Sequence, residues 1–139
     1  MPRLSSHFGL QDPRLQSLVF PLITVATLTT DSNQTYTTDQ VLGGLIMRTI
    51  GAARTDTLPT AAALADAVQG AMVGTSFRFH IRNNAGGAFT LTVAAGTGGT
   101  TSGTMTIAQN NAKDFLVVFT NVTIGSEAYK IYSLGTVTF

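Results

Sequence analysis

The chain has 139 residues, of which 44% are hydrophobic and only 11% are charged, and its formal net charge is +1 at pH 7. This length is typical of one domain, and a charged fraction well below the roughly 25% usual in soluble domains gives weak electrostatic protection against association. The absence of cysteine excludes disulfides, thiolate metal ligands and a thiol nucleophile. Lys and Arg form no cluster of the kind that indicates nucleic-acid binding. No apolar run reaches the roughly 18 residues of a membrane span.

Residues 1–21 are predicted to form an extended N-terminal arm that precedes a β-sandwich domain spanning residues 22–139. Pro2, Pro13 and Pro21 interrupt this segment, and proline cannot donate a backbone hydrogen bond within a sheet. Large apolar residues are frequent in it, although disordered tails are usually poor in them. We therefore expect the arm to lie on a partner or on its own domain, through the apolar residues Leu4, Phe8, Leu10, Leu15, Leu18 and Phe20.

Two short helices are predicted in the first half of the domain. Thr37 followed by Gln40 fits a capping box that would begin a helix of one or two turns, which Gly43 would end. The alanine-rich second helix would have Thr60 as its N-cap and Gly70 after its last turn. The neighbouring segments are predicted to be strands at 22–30 and 45–48 and a loop at 51–56.

The second half of the chain alternates apolar and polar residues in short runs, most clearly in Phe77-Arg78-Phe79-His80-Ile81-Arg82. A period of two turns one set of side chains toward a core and the other toward water. Gly, Asn and Thr separate the runs, a pattern typical of antiparallel sandwiches and jelly rolls. Strands are predicted at 77–82, 89–93, 104–107, 115–119 and 128–132, with an exposed loop at 94–103. The expected fold is all-β: a jelly-roll-like antiparallel β-sandwich with two short helices and an extended N-terminal arm.

No set of residues in the sequence has the pattern of an active site, a metal site or a cofactor site. The two histidines, His7 and His80, lie far apart, and neither has the spacing to a second ligand that a metal site needs. Gly96-Thr97-Gly98-Gly99 lacks the lysine and the following helix of a phosphate-binding loop. The remaining acidic candidates are scattered, at Asp66, Asp114 and Glu127. We therefore expect no catalytic residues, no metal and no cofactor.

The strand at 77–82 is a candidate trimer interface, through Phe77, Arg78, Phe79, His80 and Arg82. One of the two phenylalanines would meet its symmetry mates at the oligomer axis. The alternative for Phe77 and Phe79 is an ordinary core position. The alternative for the basic residues is a solvated strand face, or one that pairs with the carboxylates of a neighbour.

Short segments spread over residues 36–135 form a distributed pattern without a catalytic motif. They are Leu42-Gly43-Gly44-Leu45-Ile46, residues 51–60, residues 73–79, Ile81-Arg82-Asn83, residues 94–98, residues 102–107, Phe115-Leu116-Val117, Thr120-Asn121-Val122-Thr123 and residues 131–135. This pattern resembles a family of short virion proteins from tailed double-stranded DNA bacteriophages. The resemblance implies a structural role as a capsid decoration, or cement, protein, which sits as a homotrimer on the outer capsid surface of the virion and contacts the major capsid protein.

The expected function is therefore a viral capsid decoration protein, not an enzyme, that binds the outer head surface as a trimer and stabilises the major-capsid lattice. The alternative is a receptor- or glycan-binding tip domain of a phage tail fibre or spike, since related jelly rolls occur there. Such tips usually display aromatic residues in loops, whereas this chain has no Trp and its three tyrosines lie outside the Gly/Thr-rich loop. A third possibility, an enzyme or small-ligand domain, would need a pocket with converging polar groups.

Overall fold

The computed structural model describes residues 22–139. Within this range the chain forms nine strands and two helices. In chain order they are β1 (Thr24–Leu28), α1 (Thr38–Leu42), β2 (Gly44–Arg48), β3 (Arg54–Thr57), α2 (Ala61–Ala67), β4 (Ser76–Asn83), β5 (Leu91–Ala94), β6 (Gly99–Ser102), β7 (Thr106–Ile107), β8 (Asn111–Asn121) and β9 (Ala128–Thr138). The predicted arm lies outside the described residues, together with its contact candidates Leu4, Phe8, Leu10, Leu15, Leu18 and Phe20.

The strands form two mixed sheets. Six strands lie in the order β1-β2-β4-β8-β9-β6, and three lie in the order β3-β5-β7. The prediction of a β-rich domain with two short helices is confirmed. The prediction of antiparallel pairing is wrong for four strand pairs, because β1–β2, β2–β4, β3–β5 and β6–β9 are parallel.

The parallel pairs follow from the connections between their strands. Parallel neighbours need a connection that returns the chain to the same end of the sheet. The link between β1 and β2 contains α1, and the link between β2 and β4 contains β3 and α2. Alternation along a strand indicates which side chains are buried, but it carries no information on the direction of the neighbouring strand. The sequence pattern therefore could not distinguish parallel from antiparallel pairing.

The N-caps of both helices and the end of α1 at Gly43 agree with the sequence prediction, whereas Gly70 lies two residues beyond Val68, the C-cap of α2. Thr37 Oγ1 accepts a hydrogen bond from the Gln40 backbone N–H at 3.2 Å, and the Thr37 N–H donates to Gln40 Oε1 at 2.9 Å. These are the two reciprocal bonds of a capping box. Thr60 caps α2 by accepting from the Ala63 N–H at 3.2 Å. The second helix ends at Ala67, earlier than the alanine-rich run suggested.

Two strands were missed because they contain no apolar periodicity. The predicted loop at 51–56 contains the start of β3, whose sequence is Arg-Thr-Asp-Thr. The predicted loop at 94–103 contains β6, whose sequence is Gly-Thr-Thr-Ser. β3 pairs with β5 and β6 pairs with the longer β9, and these neighbours supply hydrogen-bond partners that no local pattern reveals.

A single hydrophobic cluster joins both sheets. The rings of Phe79 on β4 and Phe115 on β8 stack with centroids 5.3 Å apart. Leu91 and Ile107 from the three-stranded sheet are also completely buried in this cluster. The alternation along β4 is as predicted: Phe79 and Ile81 are buried, whereas Arg78 and His80 are exposed. The polar side of β4 is therefore presented away from the core.

Candidate functional site

The best-defined polar cluster is a buried ion pair between the two sheets. Arg48 at the end of β2 donates from Nε to Asp56 Oδ2 on β3 at 2.6 Å, and both side chains are fully buried. The Arg48 Nη1 donates to the Thr30 carbonyl at 2.7 Å, and the Tyr36 hydroxyl donates to Asp56 Oδ2 at 2.8 Å. A buried charge needs such partners to offset its lost hydration. This cluster therefore connects the sheets and offers no surface to a substrate.

Tyr36 remains a donor in this cluster. Burial, together with the negative charge of Asp56, raises the pKa of Tyr36 far above its usual value of 10.0. A phenolate beside a buried carboxylate would place two negative charges together, so the neutral form is favoured. The cluster was missed by sequence reasoning, although Arg48 lies two residues after buried Ile46 on the same strand and therefore shares its inward direction.

The glycine-rich segment 96–99 packs against the rest of the fold instead of cradling a ligand. The Thr97 carbonyl accepts from the Ala61 N–H at the start of α2 at 2.8 Å. The Gly96 N–H donates to the Tyr129 hydroxyl at 2.8 Å, and that hydroxyl donates to the Pro59 carbonyl at 3.1 Å. A Cβ at Gly96 would collide with the backbone oxygens of Leu58 and Pro59. The small residues thus permit close approach of two backbone segments.

The tyrosines give no support to the glycan-binding alternative. Tyr36 and Tyr129 are each 1% exposed, and their hydroxyls are bonded inside the protein. Tyr132 is half-buried on β9, where Lys130 Nζ lies 5.3 Å from its ring centroid. Stacking on a sugar requires an accessible aromatic face, and neither Tyr36 nor Tyr129 has one.

The predicted interface strand divides into two sides. Phe79 is completely buried, and Phe77 packs against the core with its ring centroid 6.4 Å from that of Phe119. The ordinary-core alternative therefore describes both phenylalanines, and Phe79 has no surface to offer a symmetry mate. Arg78, His80 and Arg82 lie together on the opposite side of β4, which we call the outer face.

The outer face carries a shallow groove of about 460 Å³. Arg78 and His80 line one side of it, and Leu134 and Val137 line the other. His80 Nδ1 lies 3.6 Å from Asp114 Oδ1 on the paired strand, which is too long for a hydrogen bond. The Arg82 guanidinium lies 3.5 Å from the ring centroid of Phe139, a favourable cation–π geometry. This surface combines positive charge with apolar side chains, as protein interfaces often do.

Exposed apolar side chains fall into three groups over the described residues. They are Leu22, Ile23 and Val25 at β1; Met72, Val73 and Ile124 in the two loops that precede β4 and β9; and Leu134, Val137 and Phe139 at the end of the chain. The most exposed is Ile124, at 93%. Grouped apolar side chains on a surface mark sites of protein contact more often than scattered ones.

Three strands of the six-stranded sheet, β1, β6 and the end of β9, have a side that no described strand covers. β1 pairs only with β2 among the described strands. At the other side, β6 ends at Ser102 opposite Tyr132, so that no described strand covers the outer edge of Leu134–Thr138 in β9. We call Thr24–Leu28 the β1 edge and Leu134–Thr138 the β9 edge. An uncovered edge presents unpaired N–H and C=O groups to any strand that approaches it.

Within residues 22–139, no three His, Asp or Glu side chains lie close enough together to hold a metal ion. The helices described here are too short to cross a membrane. Comparison with known proteins gave no significant match to a family model, to a curated protein or to a solved structure. The surface itself must therefore carry the functional argument.

Proposed function

We propose that this protein is a capsid decoration protein, which binds the outer surface of a bacteriophage head as a homotrimer and stabilises the lattice of the major capsid protein. The observation that carries the proposal is the grouped apolar surface of a chain in which only 11% of the residues are charged. Exposure of such an apolar surface to water is unfavourable, whereas neighbours in a permanent assembly would bury it. The resemblance of residues 36–135 to virion proteins supports the same role.

The finer fold proposed here is a jelly-roll-like β-sandwich with its two sheets face to face. Its support is the single hydrophobic cluster to which both sheets contribute buried side chains. A sandwich of this kind is a stiff body with two broad faces and several edges, which suits a subunit that contacts several neighbours. In this role the protein performs no catalysis and needs no cofactor.

Attachment to the head is proposed to use the arm and the adjoining β1 surface. Leu22 and Ile23 are 76% and 65% exposed at the point where the described chain begins. They continue the apolar composition of residues 1–21, through which the arm would contact the major capsid protein. A trimer presents three such arms, and simultaneous engagement can raise the apparent affinity by about 10²–10⁴ over one site.

The direct test is binding to phage heads from which the decoration protein has been removed. Purified full-length protein should bind in a saturable manner and raise the temperature at which the heads release DNA. Absence of binding by correctly folded protein would contradict the proposal. Binding to bacterial cells or glycans instead would favour the tail-fibre alternative.

A variant lacking residues 1–20 tests the arm. We expect it to lose at least about 100-fold in apparent affinity for heads, since the three-site attachment would be lost. The matched control keeps the arm and replaces only its polar residues Ser5, Gln11 and Gln16 with alanine, which should leave binding unchanged. Binding of the shortened variant at wild-type strength would remove the arm from the mechanism.

A further inference from the structure

We propose that the β9 edge of one copy pairs with the β1 edge of the next copy, so that the six-stranded sheets of neighbouring copies join into one. The inference rests on the self-association in the proposed function and identifies the surfaces that would form it. Its occupant is a second copy of this chain, and its chemistry is backbone hydrogen bonding between strands.

The composition of both edges favours pairing. Natural edge strands are usually protected from unwanted partners by lysine, other charges, proline or bulges that twist the edge away. The β1 edge is Thr-Val-Ala-Thr-Leu and the β9 edge is Leu-Gly-Thr-Val-Thr, with no charged residue and no proline in either. The one bulge in this part of β9 falls at Leu134, because Asp114 pairs with Gly135 and Phe115 with Ser133, and residues 135–138 beyond it keep a regular register. Neither edge carries a charge that would repel a neighbour.

The two edges also match in length and in exposed apolar side chains. Each contains five residues. Val25 on the β1 edge is 52% exposed, and Val137 on the β9 edge is 66% exposed. Pairing of the two edges would satisfy backbone groups that the described strands leave open, and it would also remove these side chains from water.

The positions of the edges limit how copies of the chain can assemble. They lie on opposite sides of the same sheet, so one copy cannot pair them with each other within a single flat sheet. Contact between two different surfaces is heterologous, and it gives a closed ring when the rotation between copies completes a circle. A trimer is the ring that the proposed function requires.

Three variants with one type of substitution test the pairing. Val25→Lys and Val137→Lys each place a charge on one edge, at a side chain that is already exposed. Ala62→Lys is the matched control, because Ala62 is also exposed but lies on α2 and belongs to none of the proposed contact surfaces. We expect each edge variant alone to weaken self-association at least about tenfold, and the control to associate as the wild type does. A cooperative thermal unfolding transition in each variant would show that all three fold.

Mixing the two edge variants tests the heterologous arrangement. Each retains one intact edge, so an equimolar mixture should form a heterodimer by native mass spectrometry at a concentration at which either variant alone is a monomer. In the wild-type assembly, hydrogen exchange of residues 134–138 and 24–28 should be slower than in dilute monomer. A wild-type trimer whose edge variants also form trimers would overturn the edge pairing but leave the homotrimer. A wild-type protein that stays monomeric would overturn both.

Discussion

At the scale of single residues, the sequence predicts positions whose environment is local. The alternation along β4 correctly places Phe79 inward and His80 outward, because a period of two needs only the strand itself. It could not reveal that Arg48 is buried against Asp56. That contact joins residues of two different sheets and depends on how the chain crosses between them. A charged residue at an inward position was the available signal, since such a residue needs a buried partner.

The buried ion pair leads to a stability prediction. Asp56→Ala would leave the Arg48 guanidinium buried without its carboxylate and should lower the free energy of unfolding by about 3–5 kcal/mol. The control is Asp31→Ala, which removes the partly exposed pair between Asp31 and Arg54 at 2.9 Å and should cost much less, because water screens an exposed pair. Urea unfolding of both variants measures the difference. Equal losses would show that burial of the Arg48–Asp56 pair does not govern its contribution.

Tyr36 leads to a pH prediction. Its folded-state pKa is raised by burial above the usual 10.0, so only the unfolded chain ionises this group as the pH rises above about 10. The stability contribution is complete below pH 10 and is lost above it. Tyr36→Phe should cost about 1–3 kcal/mol at pH 7, because Asp56 loses a hydrogen bond. It should also make unfolding less sensitive to pH between 10 and 11 than in the wild type; an unchanged pH dependence would contradict the assignment.

At the scale of elements, the glycine-rich segment between β5 and β6 fits the fold only because it lacks side chains. Gly96→Ala would drive a Cβ into the carbonyl oxygens of Leu58 and Pro59, and overpacking of this kind costs about 1–3 kcal/mol. Gly86→Ala is the matched control, since its Cβ would meet open space. Thermal unfolding should separate the two variants by several degrees. A Gly96→Ala protein as stable as the control would mean that the segment can move away.

The sequence predicted strands where apolar and polar residues alternate, and it missed strands where they do not. β8 and β9 contain the predicted segments 115–119 and 128–132 and extend beyond them. β3 and β6 have no apolar side chains, so only their hydrogen-bonded neighbours define them. The parallel pairs were missed for a related reason, since strand direction is set by connections rather than by side chains. The sequence predicted that Arg78, His80 and Arg82 share one face of a strand. It could not predict the open β9 edge, because that edge depends on where β6 ends.

At the scale of the whole molecule, the proposed role depends on a surface that has few charges and several groups of exposed apolar residues. The outer face, the β1 and β9 edges and the apolar loops lie on different parts of the molecule, and we propose that contacts with other copies or with the capsid cover them. An isolated monomer would expose them all. The proposed role therefore requires that the protein self-associates, whichever capsid it binds.

The most direct test is the molar mass of the full-length protein in solution, measured by light scattering across a range of concentrations. A homotrimer should give a mass three times the 14.6 kDa of one chain at high concentration, with dissociation on dilution. A mass of one chain at every concentration, in protein shown to be folded, would contradict it.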